Sequence, residues 1–88
     1  MRISQKKQDK IAEQILNILY QIFPKSLFTS QIAQETARDE EFILKLLKDL
    51  EAKKLVISIN KNQNGKEFRR RKKWRISNQA YEVYKQHQ

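Results

Sequence analysis

Cysteine is absent from this 88-residue chain, and glycine, proline and histidine occur once each. Each scarcity closes off a class of protein. Without cysteine there is no disulfide framework, and His87, with no partner at ligand spacing, points to no metal site of the common kinds. One glycine cannot supply a phosphate-cradling glycine loop, and no nucleophile–base pairing or suitably spaced carboxylate pair stands out. A chain this short builds one modest core with little room for a preorganised pocket, so neither an enzyme nor a cofactor is expected. Long apolar runs are also missing. The stretch Ile15 to Phe23 is interrupted by Asn17 and Gln21 and falls far short of the ~20 residues that span a bilayer. Met1 to Lys10 has neither the apolar core nor the small-residue cleavage site of a secretory signal. The expectation is a soluble, intracellular chain forming one domain over residues 1–88, with no membrane partner.

What is abundant is positive charge. Nineteen Lys and Arg stand against ten Asp and Glu, a formal net charge of +9, which favours a polyanionic partner, nucleic acid first. The excess is localised. Residues 1–54 hold ten basic and eight acidic side chains, whereas residues 55–88 hold nine and two. Lys66 to Arg75 alone carries seven bases and one acid, so +6 of the +9 falls on ten consecutive residues. A solubilising surface mixes both signs, and a disordered basic tail lacks apolar residues, but this run is interleaved with Phe68, Trp74 and, just beyond it, Ile76.

Apolar periodicity gives the framework. Ile11, Ile15, Ile18, Leu19 and Ile22 predict a helix over about residues 8–23, stopped by Pro24, with Lys6, Lys7 and Lys10 either a second basic contact or arm or part of a fraying N-terminus. Ser26, Leu27 and Phe28 form a connector or short strand before Thr29, the expected N-cap of a helix over Ser30 to Thr36. Asp39 is the expected N-cap of a third helix, with Glu40 and Glu41 placed against its positive end and Ile43, Leu46, Leu47 and Leu50 facing inward. The period then changes to two. Leu55, Ile57 and Ile59 share one parity, Phe68, Trp74 and Ile76 another, with Arg69, Arg71, Lys73 and Arg75 on the alternate positions. A two-residue turn at Asn64-Gly65 would make these runs a hairpin, pairing Leu55 with Trp74, Ile57 with Lys72 and Ile59 with Arg70. Ser77 caps a final helix over about residues 78–86, turning Ala80, Tyr81, Val83 and Tyr84 towards the body.

The fold class expected is α+β and mainly helical: a three-helix core, a hairpin wing at about residues 55–76 and a C-terminal helix. This order resembles the winged helix-turn-helix family. The segment Leu46-Leu47-Lys48-Asp49-Leu50-Glu51-Ala52-Lys53-Lys54-Leu55-Val56 is similar to the Leu-Glu-x-Lys-Gly-Leu-Val exit of the recognition helix in MarR-like regulators. Ile76-Ser77-Asn78-Gln79-Ala80 is similar to their Leu-Thr-x-x-Gly step after the wing. The resemblance covers about residues 29–81. Two departures stand out: Lys54 replaces the family's glycine after the third helix, and the turn before that helix has no glycine.

The resemblance implies a transcription regulator that binds duplex DNA, its third helix in or beside the major groove and its wing on the phosphates or an adjacent minor groove. On the wing the contacts would come from Lys66, Arg69, Arg71, Lys73 and Arg75. Arg70 and Lys72 would lie on the opposite face with their stems over apolar surface. Positions matching the base-reading ones are Glu40, Glu41, Phe42, Leu44, Lys45 and Lys48. Two readings of this acidic start remain open: Glu40 and Glu41 cap the helix while Lys45 and Lys48 make contacts, or the wing binds and the helix, through Phe42 or Leu44, faces a protein. Gln31, Gln34 and Arg38 are candidate phosphate contacts. Trp74, at the foot of the hairpin, is expected in the core. A homodimer through the terminal helices is implied, placing two wings on one duplex, in the cytoplasm or on the nucleoid of a prokaryote. The alternatives are a winged-helix interaction module of a larger assembly and an RNA-binding or ribosome-associated factor.

Overall fold

The computed structural model describes residues 4–59 and 72–86. The elements follow the order α1 (Gln5–Ile22), β1 (Leu27–Phe28), α2 (Thr29–Thr36), α3 (Glu40–Ala52), β2 (Val56–Ile59), β3 (Lys73–Ile76) and α4 (Asn78–Gln86). The helix, strand and wing order expected from the sequence is therefore present. No helix among the described residues is long and apolar enough to cross a membrane.

The first helix begins three residues earlier than its apolar stripe suggests. Ser4 caps it, accepting a hydrogen bond from the Lys7 N–H at 3.3 Å, and Gln5 reaches Asp9 one turn on. Lys6, Lys7 and Lys10 are thus helical, not a frayed lead-in. The helix ends at Ile22, because Phe23 is extended and Pro24 has no N–H to donate. Asp39 caps α3 as expected, its carboxylate accepting from the Phe42 N–H at 3.4 Å, with Glu40 and Glu41 in the first turn. Ser77 caps α4 through the Ala80 N–H at 3.1 Å.

Both α2 and α3 end in the same way. The Ala37 N–H donates to the Gln34 carbonyl and the Arg38 N–H to the Ala33 carbonyl; at α3, Lys54 donates to Glu51 and Leu55 to Leu50. This paired arrangement satisfies the last helical carbonyls and needs a left-handed residue at the exit. Ala37 (φ 54°) and Lys54 (φ 63°) supply it, each with a Cβ that glycine would lack. The missing glycines therefore leave the turns in place and load them with strain.

The three strands form an antiparallel sheet in the order β1-β3-β2. Its register corrects the sequence expectation. Trp74 pairs with Ser58, not Leu55; Ile76 pairs with Val56, and Arg75 and Lys73 pair with Ile57 and Ile59. The observed register differs by three residues from that of a two-residue Asn64-Gly65 turn, and an odd shift exchanges the faces of a strand. Val56 therefore joins Trp74 and Ile76 in the core, while Ile57 and Ile59 share the half-buried outer face with Lys73 and Arg75. The Asn64-Gly65 turn itself and the Arg70 pairing lie outside the described residues.

The core collects Ile11, Ile15, Leu16 and Leu19 from α1, Ile32 and Ala33 from α2, and Ile43, Leu46, Leu47 and Leu50 from α3. Val56, Trp74, Ile76 and Ala80 complete it. Trp74 is the largest fully buried side chain, as expected. Beside this core, Tyr81 stacks on Phe23 with ring centroids 3.9 Å apart, and Tyr20 packs against Tyr81 and Tyr84, so α4 is tied to the end of α1. Burial, then the nearby Glu13 carboxylate, raises the Tyr84 phenol above its ordinary pKa. Val83 does not turn inward as expected: it is 55% exposed, because the aromatic pair at Tyr81 and Tyr84 sets which side of α4 faces α1.

Candidate nucleic-acid interface

The basic strand enters the fold at Lys72, and its first contacts are with α2. Thr29 is the first residue of that helix, with Phe28 as the N-cap, so the expected capping role of Thr29 is not the observed one. Its hydroxyl accepts from the Trp74 indole N–H at 2.8 Å and donates to the Lys72 carbonyl at 3.4 Å; its N–H also donates to that carbonyl at 3.2 Å. The helix start is held by Gln31, whose side-chain carbonyl accepts from the Phe28 N–H at 2.9 Å.

Lys73 sits with its ammonium 4.9 Å from the centre of the Phe28 ring, and Lys72 places its own 5.9 Å from the Trp74 ring. Such contacts restrain a lysine stem while the charge stays near water. Gln31, Lys72 and Lys73 are thereby brought together around Phe28 and Thr29. Arg75 is oriented differently. Its guanidinium donates to the Ile76 carbonyl at 3.1 Å and to the Asn78 side chain at 3.3 Å, and lies 5.9 Å from the Phe23 ring. That links the strand to the ends of α1 and α4.

On α3, Lys45 and Lys48 are exposed, as are Glu40, Glu41 and Asp49, while Phe42 and Leu44 are half-buried against the core. Glu41 precedes Lys45 by four residues, the orientation that favours a pair along a helix. Gln34 and Arg38 are exposed on α2 and just after it. Lys66, Arg69, Arg70 and Arg71 lie outside the described residues, as does His87. Among the described residues, no group of three or more His, Cys, Asp or Glu is placed to hold a metal ion.

Three contacts have no clear signal in the sequence. The Thr29–Trp74 bond joins residues 45 apart. Ser77, besides capping α4, donates its hydroxyl to the Lys54 carbonyl at 2.9 Å and its N–H to that of Leu55, fastening the end of β3 to the exit of α3. The Ser58 hydroxyl donates to the Glu51 carboxylate at 2.7 Å, tying β2 to the last turn of the same helix. Together they anchor the foot of the wing to both α2 and α3.

This arrangement matches solved structures over nearly its whole length. The chain superposes on ZitR of Lactococcus lactis with a TM-score of 0.72 over 93% of its own residues and 57% of that chain, at 24% identity. A second ZitR structure, described as a zinc-responsive MarR family member, gives 0.68 at 22% identity, covering 99% of this chain and 52% of the other. The fold is that of a MarR-type winged helix. The MepR–DNA complex of S. aureus matches at 0.74, with 23% identity over 93% of this chain and 64% of MepR. This winged helix thus spans between about half and two-thirds of the proteins it superposes on. No family profile and no curated protein sequence matches it.

Proposed function

We propose that this chain is a DNA-binding transcription regulator that grips duplex DNA mainly through its basic wing, with α3 in or beside the major groove. The observation that carries the reading is the position of Lys73 and its basic neighbours on the wing strand of a fold that superposes on MepR in its DNA complex. Phosphate attraction requires only cations on an accessible, rigid element, and β3 is hydrogen-bonded on both edges. The contacting set is Lys66, Arg69, Arg70, Arg71, Lys72, Lys73 and Arg75 on the wing, Lys45 and Lys48 on α3, and Gln31 and Arg38 from α2 and its exit. The reading is non-enzymatic and cytoplasmic, with residues 1–88 acting as one winged-helix domain. Two copies would associate through α1 and α4.

Anisotropy titration against duplex DNA, single-stranded DNA and duplex RNA over a range of salt tests this. With about four to six phosphates neutralised, log affinity for duplex DNA falls with log salt at a slope of roughly −4 to −5. Tighter binding to RNA or single strands would transfer the reading to an RNA-binding factor. The acidic first turn of α3 supports a second reading, in which the chain is an interaction module and α3 faces a protein. A winged helix with no measurable duplex affinity at low salt would favour that one.

A further inference from the structure

Resting on the DNA-binding reading, we infer that Thr29 is a positioning residue for the wing: it locks the foot of the basic strand to the start of α2 and so sets how the wing's cations meet the duplex. Its geometry exceeds what helix initiation needs. A capping threonine satisfies an N–H of its own helix, but Thr29 directs both its N–H and its hydroxyl at one carbonyl, that of Lys72, at 3.2 and 3.4 Å. The same hydroxyl accepts from the Trp74 indole at 2.8 Å. A hydroxyl that accepts one bond and donates another is committed in direction, and here one partner lies on the basic strand and the other immediately before it.

Burial makes the arrangement restrictive. Thr29 is 7% exposed and Trp74 fully buried, so neither partner has ready recourse to water if the other is lost. The bonds bracket Lys73, which pairs with Phe28 across β1 and rests its ammonium over that residue's ring. A slip of β3 past α2 would break the indole bond and displace Lys73 from Phe28 together. The arginines Arg69 to Arg71 directly precede this clamp in sequence.

The test uses the full chain with Thr29→Val, which keeps the branched shape and removes the hydroxyl, and Thr29→Ser, which restores it. At a temperature where every variant is folded by circular dichroism, Thr29→Val is expected to weaken duplex binding about fivefold to twentyfold and to lower the salt slope by roughly one unit. Thr29→Ser should remain within about twofold of wild type. Double-mutant cycles separate positioning from general loosening: the Thr29→Val effect should be strongly reduced in a Lys73→Ala background and additive with Lys48→Ala on α3. Equal additivity with both, or a folded Thr29→Val of unchanged affinity and slope, would overturn the assignment. Should Thr29→Val not fold, Thr29→Ala removes the hydroxyl without adding a methyl beside the Lys72 carbonyl; a weakening of at least twofold in the folded protein supports the clamp and wild-type affinity refutes it. Trp74 is the sole tryptophan, so hydrogen exchange at its single indole N–H reads the bond without DNA. Slow exchange in wild type and fast exchange in Thr29→Val would uphold the clamp even if wild type failed to bind duplex. That failure would sink the DNA-binding reading alone.

Discussion

Helix α3 and strand β3 bury one stripe each in the same core, yet the outer face of one is mixed in charge and that of the other wholly basic. On α3 the exposed residues include Glu40, Glu41 and Asp49 against Lys45 and Lys48. On β3 the outward positions are Lys73 and Arg75, both cations, with Lys72 just before them. The inward residues are interchangeable in kind: Ile43, Leu46, Leu47 and Leu50 on one element, Trp74 and Ile76 on the other. A fold constrains the buried stripe tightly and leaves the exposed one open to selection for binding. Under the proposed function, that contrast makes β3 the candidate affinity-bearing element and leaves α3 a different task, whether base contact through its two lysines or contact with protein.

The largest expected effect probes the buried side. Trp74→Ala should cost about 3–5 kcal/mol, near the whole stability of a small domain, and abolish binding by unfolding it. Leu47→Ala on α3 should cost about 2–5 kcal/mol by the same mechanism. Thermal unfolding by circular dichroism measures both, and a mild loss at Trp74 would mean that the strand is not anchored as described. In the basic run, replacing Arg69, Arg71 and Lys73 together by alanine should leave the unfolding midpoint nearly unchanged while flattening the salt slope by roughly 2–3 units. A slope that stayed put would move the binding surface off the wing. Next in size, Glu40→Gln with Glu41→Gln should tighten duplex binding about threefold to tenfold if α3 enters the groove, since each would then remove a negative charge near the phosphates. Helix α3 would lose roughly 0.5–1 kcal/mol of favourable interaction at its positive end. If affinity does not rise while stability falls, α3 stands away from the phosphates and the protein-facing reading gains.

The two elements also differ in how readily they could be read from sequence. The α3 stripe and its Asp39 cap are local patterns, and both appear as expected. Trp74 and Ile76 share a parity within their own strand, so their burial could be inferred whatever the hairpin register. Pairing to β2 could not, because it depended on the length of the connecting turn, and a three-residue difference exchanged Leu55, Ile57 and Ile59 for Val56 and Ser58. The role of Thr29 is hidden for a related reason: capping is a signal between neighbours, whereas its partners Lys72 and Trp74 are 43 and 45 residues away. For the candidate site, residue type and clustering were visible in the basic run, but orientation was not. Nothing in the sequence distinguishes Arg75, turned towards Asn78 and Phe23, from Lys73, resting on Phe28.

The smallest effects are expected where α3 hands over to the sheet. Lys54 holds the left-handed exit position, its carbonyl accepting from Ser77 and its N–H bonded to the Glu51 carbonyl, so the surroundings enforce a conformation that its Cβ disfavours. Relief of about 1–2 kcal/mol of strain, less roughly 0.5–1 kcal/mol of added backbone entropy, makes Lys54→Gly stabilising by about 0.5–1 kcal/mol. That is a rise of roughly 2–8 °C in the unfolding midpoint. Ala37→Gly, at the matching exit of α2, should gain a similar amount with no change of charge. Lys54→Ala keeps the strain and removes only the charge, so it should not gain. If the Lys54 charge contributes to duplex binding, Lys54→Gly and Lys54→Ala should lose the same affinity, about twofold to threefold, although only one of them is stabilised. Equal wild-type affinity in both would remove Lys54 from the binding charge and leave Lys45 and Lys48 as the cations through which α3 could contribute.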